Sequence, residues 1–162
     1  MIILAIDSGF DKTGYALFNK ILTNNENKYL ISGLIKTSKK DKIEDRLLII
    51  YEDLKIIIKK YKPEIIVVEQ LFFFKNQKTV IKVSQSQGII LLLAAQSKIK
   101  LEFLTPLQIK QIITGYGQAD KKSVQKMISL TVKIDKIIKE DDETDAIACG
   151  LAYCYQSQNL IK

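Results

Sequence analysis

Apolar positions along the chain change their period several times, and the changes mark the elements. Met1 to Ile6 is a nearly unbroken apolar run bounded by Ser8 and Gly9, which predicts a strand buried on both faces. Gly9 permits a turn that residues with side chains resist. Thr13 to Phe18 returns as a second strand, so the two form a hairpin. Lys28 to Thr37 reads as a third strand through Tyr29, Leu30, Ile31, Leu34 and Ile35, interrupted by Gly33. Short connections make these first three strands antiparallel. After the polar turn Ser38 to Lys42 the period becomes helical. Ile43, Leu47, Ile50, Tyr51, Leu54, Ile57, Ile58 and Tyr61 recur at helix spacing until Pro63 stops them. Ile65 to Val68 is a short β-branched strand. A helix between strands predicts a right-handed crossover, which lays this fourth strand parallel to the first.

A second helix runs from about Thr79 to Ser97, with Val80, Val83, Gln87, Leu91 and Ala94 along one side, and Leu101 to Leu104 is a fifth strand. Thr105-Pro106 is a helix start, a Thr N-cap with Pro in the first turn. That helix stops at Gly115-Tyr116-Gly117. Asp120 caps the next, Lys121 to Val132; a charged linker, Lys133 to Asp141, precedes a last helix from about Asp142 to Ser157. The expectation is one α/β domain over residues 1–162. Its mixed five-stranded sheet has the first three strands antiparallel, the fourth and fifth parallel to the first, and helices flanking it.

Charge sharpens this picture. The chain carries +7 overall, yet between Lys75 and Lys139 twelve lysines stand against Glu102, Asp120 and Asp135. That segment is more basic than the whole chain, which points to a polyanionic partner. Histidine is absent. This excludes Ser-His-Asp and Cys-His catalysis, His-bearing zinc sites and His general bases. An enzyme built from this composition must work with carboxylates, lysines, hydroxyls or thiols, and a carboxylate-only metal site favours magnesium or manganese. Cys149 and Cys154 lie five apart in a helix and point in different directions, so they read as free thiols. No basic region precedes the N-terminal apolar run, and the longest apolar stretch, Gly88 to Ala95, is too short to cross a bilayer. The expectation is a cytoplasmic protein without a membrane partner.

The candidate chemistry is acidic. Two strands run straight into an acid, Asp7 after the first and Glu69 after the fourth. A carboxylate is costly in an apolar core, so each sits at the sheet's rim. If the two strands are parallel neighbours, both acids emerge at the carboxyl edge, where α/β sheets place ligands. Asp142 and Asp145 are three apart, on one face of the first turn of the last helix. Asp145 is followed by apolar residues that turn it toward the sheet. A different feature is Leu71-Phe72-Phe73-Phe74, followed by Lys75 and Lys78. Three consecutive aromatics cannot all face one core, so at least one is exposed or covered by a partner.

These segments together resemble the RuvC family of Holliday-junction resolvases, within the ribonuclease H-like superfamily of nucleases. The likeness is carried by IDSGFDKTGY at Asp7, VVEQLFFFKN at Glu69, QIKQIITGYGQADKKSVQKMI from Gln108 to Ile128, and DETDAIACGLAYC from Asp142. The resemblance implies that Asp7, Glu69, Asp142 and Asp145 are catalytic carboxylates and metal ligands. It implies that Lys110 and Lys121 act at the reacting strand, and that Phe72 inserts near the junction's crossover. Phe73, Phe74, Lys75, Lys78 and Lys122 join Phe72, Lys110 and Lys121 as expected DNA contacts. It further implies a homodimer through the helix from about Thr79 to Ser97. There are departures. Ser8 replaces the usual proline, Asp11-Lys12 replaces more basic or neutral residues, three aromatics stand where one or two are usual, and Asp141 is an alternative to Asp142.

Phosphodiester hydrolysis needs an ionised water and neutralised charge on the phosphorus, which two divalent ions roughly 4 Å apart supply. Four acids suit such a pair. The expected cofactor is therefore Mg²⁺, with Mn²⁺ as substitute, two ions per site. The expected activity is a magnesium-dependent endodeoxyribonuclease that resolves four-way junctions by paired symmetric nicks with 5′-phosphate ends, in recombination and repair. Alternatives are another ribonuclease H-like nuclease acting on branched DNA, and a junction-binding protein with weak catalysis. The spacing from Asp7 to Gly14 also resembles the phosphate loop of actin-like ATPases and sugar kinases, although the chain is under half their usual length.

Overall fold

β1 (Ile2–Asp7) lies at the middle of a five-stranded sheet in the computed structural model, which describes residues 1–21, 26–70 and 77–159. Its neighbours are β2 (Lys12–Ile21) on one side and β4 (Ile65–Glu69) on the other. β3 (Glu26–Lys36) and β5 (Lys100–Leu104) form the two edges, so the order is β3-β2-β1-β4-β5. β1, β2 and β3 pair antiparallel; β4 pairs parallel with β1, and β5 parallel with β4. This is the mixed sheet that the sequence pattern predicts. The parallel pairing follows from the intervening helix α1 (Ile43–Tyr61), which carries the chain back to the starting edge. Among the described residues no helix is long and apolar enough to cross a membrane.

The period of two along β1 divides the core. Leu4 and Ile6 face α1 and α2 (Gln77–Ser97), with Leu17, Ile66 and Val68 beside them. Ile3 and Ala5 face the opposite layer, with Ala16, Phe18 and Val67. That layer is α5 (Asp141–Asn159), supported by α3 (Pro106–Thr114) and α4 (Lys121–Thr131). Both faces of β1 are sealed, which is why its run is apolar without alternation. Each such Ile or Leu contributes about 1.5–3 kcal/mol on burial.

Helix boundaries follow local chemistry. Thr105 accepts from the Gln108 backbone while Gln108 answers the Thr105 backbone, a full capping box with Pro106 at the start. Asp120 accepts from the Ser123 N–H at 2.8 Å to open α4. Lys62 adopts a left-handed conformation, φ 48°, closing α1 just before Pro63.

Two helix faces differ from the apolar pattern. On α2 the packed side is Ser86, Ile90, Leu93 and Ala94, while Leu91 is 47% exposed, so Leu91 does not share the core face. On α1 the core edge is taken by Arg46, 4% exposed, while Ile43 faces solvent. Arg46 is buried because its charge is answered. It donates to Thr37 Oγ1 at 2.9 Å and to the Phe10 carbonyl at 3.2 Å, pairs with Asp11, and lies 4.0 Å from the Phe10 ring centroid. Both cysteines are free and buried, as expected of helix-borne thiols.

α5 approaches the sheet closely because small residues let it. A Cβ on Gly150 would lie 2.5 Å from the Phe18 ring and 3.0 Å from Ala5 Cβ. Phe18 is fully buried and has nowhere to move. Gly150→Ala is expected to cost about 1–3 kcal/mol through overpacking, read as a lower urea midpoint at unchanged slope. An unaltered midpoint would mean that α5 can lift off the sheet without cost.

Candidate active site

The alternation that builds the core also aims the acids. Ile3 and Ala5 face α5, so Asp7, two residues on, emerges on the same face. Ile65 and Val67 do the same for Glu69. Ile6 and Val68 are paired in parallel register, which makes Asp7 and Glu69 neighbours at the carboxyl rim. Gln87 of α2 donates to the Glu69 carbonyl at 3.1 Å and fixes the end of β4 from the opposite layer.

The first turn of α5 supplies the other acids, and a glycine sets its place. A Cβ on Gly14 would stand 1.9 Å from the Asp142 carbonyl oxygen, so only glycine lets α5 begin here. Gly9 is required for a related reason. The φ there is not positive; a Cβ would fall 1.8 Å from the Lys12 carbonyl, so the constraint is space and not backbone handedness. Glu143, 7% exposed, secures the turn from below. It accepts from Ser32 Oγ at 2.6 Å and pairs with Lys136, which also donates to the Ser32 carbonyl at 2.7 Å. The connection before α5 is thereby tied to β3. Neither Glu143 nor Lys136 is marked by the sequence, because their pairing crosses 111 and 104 positions to Ser32.

The acids gathered here disturb one another. Burial, then repulsion by Glu69, Asp145 and Asp142, raises the Asp7 pKa well above the ordinary carboxylate value. Glu69 is pushed up to about 7, by burial first and by Asp145 second, while Lys121 and Lys110 pull the other way. Burial raises Asp145 as well, partly offset by Lys121. Asp142 thus belongs to the group around Asp7. Asp141 shares a lysine with Asp145: Lys121 Nζ lies 3.2 Å from Asp141 and 3.3 Å from Asp145. Burial works against the Lys121 charge, but Asp145 and Asp141 outweigh it and raise its pKa. Beneath the acids, Cys149 is fully buried, and burial drives its thiol far from ionisation.

A cleft of about 240 Å³ opens beside these groups, lined by Glu69, Lys110, Lys121, Asp141 and Asp145. Both expected lysines of the reacting strand are therefore at the acids. Lys122 is exposed in the first turn of α4, one residue beyond the cleft. The expectations for Phe72, Phe73, Phe74 and Lys75, and for the side chain of Lys78, lie outside the described residues. Among the described residues, no three acidic or thiol side chains stand close enough to hold a metal ion as they are. The donor set still suits a hard cation. It is all oxygen, and its members raise one another's pKa values, a repulsion that bound positive charge relieves.

This strand order, with acids brought to one rim by two central parallel strands and by the last helix, defines the ribonuclease H-like class. The chain belongs, within that class, to the crossover junction endodeoxyribonuclease RuvC family, whose sequence model matches residues 3–154. Among its relatives is the crossover junction endodeoxyribonuclease RuvC of Fusobacterium nucleatum, 45% identical over 155 residues, covering 94% of this chain and 80% of that one. That of Thermosipho melanesiensis is 41% identical over 154 residues, covering 95% and 96%. Among solved structures, Thermus thermophilus RuvC in complex with a Holliday junction substrate superposes with a TM-score of 0.90. It covers 98% of this chain and 96% of that one at 23% identity, a likeness of fold.

Glu69 gives the site a stability signature. Its pKa in the fold, about 7, exceeds its ordinary 4.5, so the folded protein holds this proton more tightly than the unfolded chain. The stabilisation is present below about pH 4.5 and is lost as pH rises through about 7. Metal-free protein is expected to melt at a lower temperature at pH 8 than at pH 5, and Glu69→Gln to flatten that dependence. Identical slopes in the two proteins would mean that Glu69 is not held in this environment.

Proposed function

We propose that the chain is a structure-specific DNA endonuclease, a single ribonuclease H-like domain that resolves four-way junctions by paired symmetric nicks. The observation that carries the reading is the convergence of Asp7, Glu69, Asp142 and Asp145 beside Lys110 and Lys121. Family membership supports the substrate, since the relatives are named for crossover junctions.

Asp7 from the central strand, with Glu69, Asp142 and Asp145, would hold divalent metal, two Mg²⁺ ions or Mn²⁺ in their place. The bound ions would ionise the attacking water and neutralise the leaving oxygen, leaving 5′-phosphate and 3′-hydroxyl ends. Lys121, held between Asp141 and Asp145, is restrained where a phosphate would arrive. Lys110 faces the same cleft and adds a second positive charge against the pentavalent phosphorus. Phe72, three residues after Glu69, is assigned to stacking on bases at the crossover, worth about 1–3 kcal/mol per base.

Paired nicks need two sites, and a symmetric dimer matches a two-fold junction. The outer side of α2 supports this. Ile81, Gln85, Gly88, Leu92 and Ala95 follow one another at heptad spacing, Ile81 and Leu92 are exposed, and Gly88 borders open space. The phosphate-loop reading of Asp7 to Gly14 meets an obstacle. The space above Gly9 and Gly14 is filled by the Lys12 and Asp142 carbonyls, which repel phosphate.

The deciding experiment maps every nick on end-labelled mobile four-way junctions incubated with magnesium. Two nicks at symmetry-related positions are expected. Asp7→Asn should lower cutting by orders of magnitude and leave junction binding intact or tighter. Substantial nicking by purified Asp7→Asn protein would sink the assignment, as would ATP turnover in place of cutting.

A further inference from the structure

A second groove lies on the other side of the first turn of α5, and the chemistry above does not use it. It measures about 770 Å³ and begins at Asp142. Lys12, Lys36, Lys39, Lys82 and Arg46 line it. Two acids hold four of these cations in place. Glu140 accepts from Lys12 at 2.6 Å and from Lys36 at 3.0 Å. Asp11 lies 3.2 Å from Lys39 and pairs with Arg46. Each acid answers two cations, so each trio keeps one positive charge. Lys82 Nζ stands 5.8 Å from the Phe10 ring centroid and has no salt bridge among the described residues. The loop residues Asp11 and Lys12, which depart from the family's pattern, are thus both engaged in ordering this surface.

The described lining of the groove suits a phosphate backbone. Among the described residues its single aromatic, Phe10, is 4% exposed beneath Arg46 and offers no free face for stacking. The side chains of Lys36 and Lys39 are 59% and 81% exposed, long, and already held at one end of their range by their acids. An open row of tethered ammonium groups fits successive phosphates, whereas a small anion needs an enclosed site. Its position matters as much. A strand whose scissile phosphate lies over Asp7 meets Lys110 and Lys121 on one side of the α5 turn. On the other side of that turn lie Asp142 and this groove.

We propose that the groove binds the sugar–phosphate backbone of the cut strand beyond the scissile phosphate, with Lys36, Lys39 and Lys82 as its phosphate contacts. The inference rests on the nuclease reading and adds a second, uncharged-base-independent anchor to it. With that anchor, the strand is held from both sides of the acids that repel it.

The test uses full-length protein in an Asp7→Asn background, so that binding is read without cutting. Lys36→Ala, Lys39→Ala and Lys82→Ala are combined. The control combines Lys59→Ala and Lys60→Ala at the opposite end of α1, about 25 Å away. The groove variant should bind four-way junctions about tenfold more weakly, with a log–log salt slope shallower by about 0.9 for each lysine engaged. The control should match its parent. Junctions carrying uncharged methylphosphonates on one side of the cut should weaken the parent, and should weaken the groove variant no further. Unchanged affinity and slope in the groove variant, or losses that simply add with methylphosphonates on both sides, would overturn the inference while native protein still cuts. If native protein neither binds nor cuts junctions, the nuclease reading falls first and this one with it.

Discussion

Repulsion among carboxylates at the end of two buried strands is the interaction to which the surrounding structure answers. Asp7 and Glu69 sit side by side because β1 and β4 are parallel neighbours. Asp142 and Asp145 then arrive from α5, and each arrival makes ionisation of the others harder. A flexible chain would relax by moving them apart, and three restraints oppose that relaxation. The Asp142 carbonyl is seated over Gly14, where no side chain competes. Glu143 and Lys136 fasten the same turn to β3. The free N–H groups at the start of α5 favour negative charge in its first turn. The site is therefore under electrostatic tension, relieved in part by Lys121 and relieved further by any bound cation.

How much of this was legible in the sequence depends on the range of the interaction. Strand and helix existence follow from period and local caps. The Thr105 capping box and the Asp120 cap involve partners three residues away, so sequence alone reveals them. The rim positions of Asp7 and Glu69 follow from one rule, that a carboxylate ends an apolar strand, and from the crossover that makes β4 parallel to β1. Even the face they share can be deduced, since each lies two residues beyond an inward-facing apolar residue. The site's acids were thus visible as a pattern, and the family likeness added their grouping with Lys110 and Lys121.

What the pattern could not carry is pairing at a distance. Arg46 occupies a core edge that an apolar periodicity assigns to aliphatic residues, because Phe10 and Asp11 lie across from it in space. Leu91 follows helical spacing yet faces outward, since spacing alone does not say which side of α2 meets the sheet. Glu143 looks like one more member of an acidic run, but it is the buried one, and its partner Lys136 looks like linker charge. In each case the residue type is misleading and the contact decides.

Charge shows the same limit on a larger scale. Along the chain, positive charge gathers between Lys75 and Lys139, and that segment does bring Lys110 and Lys121 to the acids. In space a second basic surface forms from Lys12, Lys36, Lys39 and Arg46, all outside that segment, joined by Lys82 from within it. A count along the chain understates it, because these lysines are scattered between Lys12 and Arg46 among acids that offset part of their charge. Folding does not cancel them; it arranges two cations around one acid, twice. A modest positive excess along the sequence thus becomes a concentrated positive groove where acids are shared. The first turn of α5 then divides the surface, with Asp141 and Asp145 turned toward one basic wall and Asp142 toward the other. Five acids between two sets of cations, Asp7, Glu69, Asp141, Asp142 and Asp145, give a polyanion attractive ground on both sides of a repulsive centre. That arrangement lets a phosphate be held at the centre by its neighbours without requiring the centre itself to attract it.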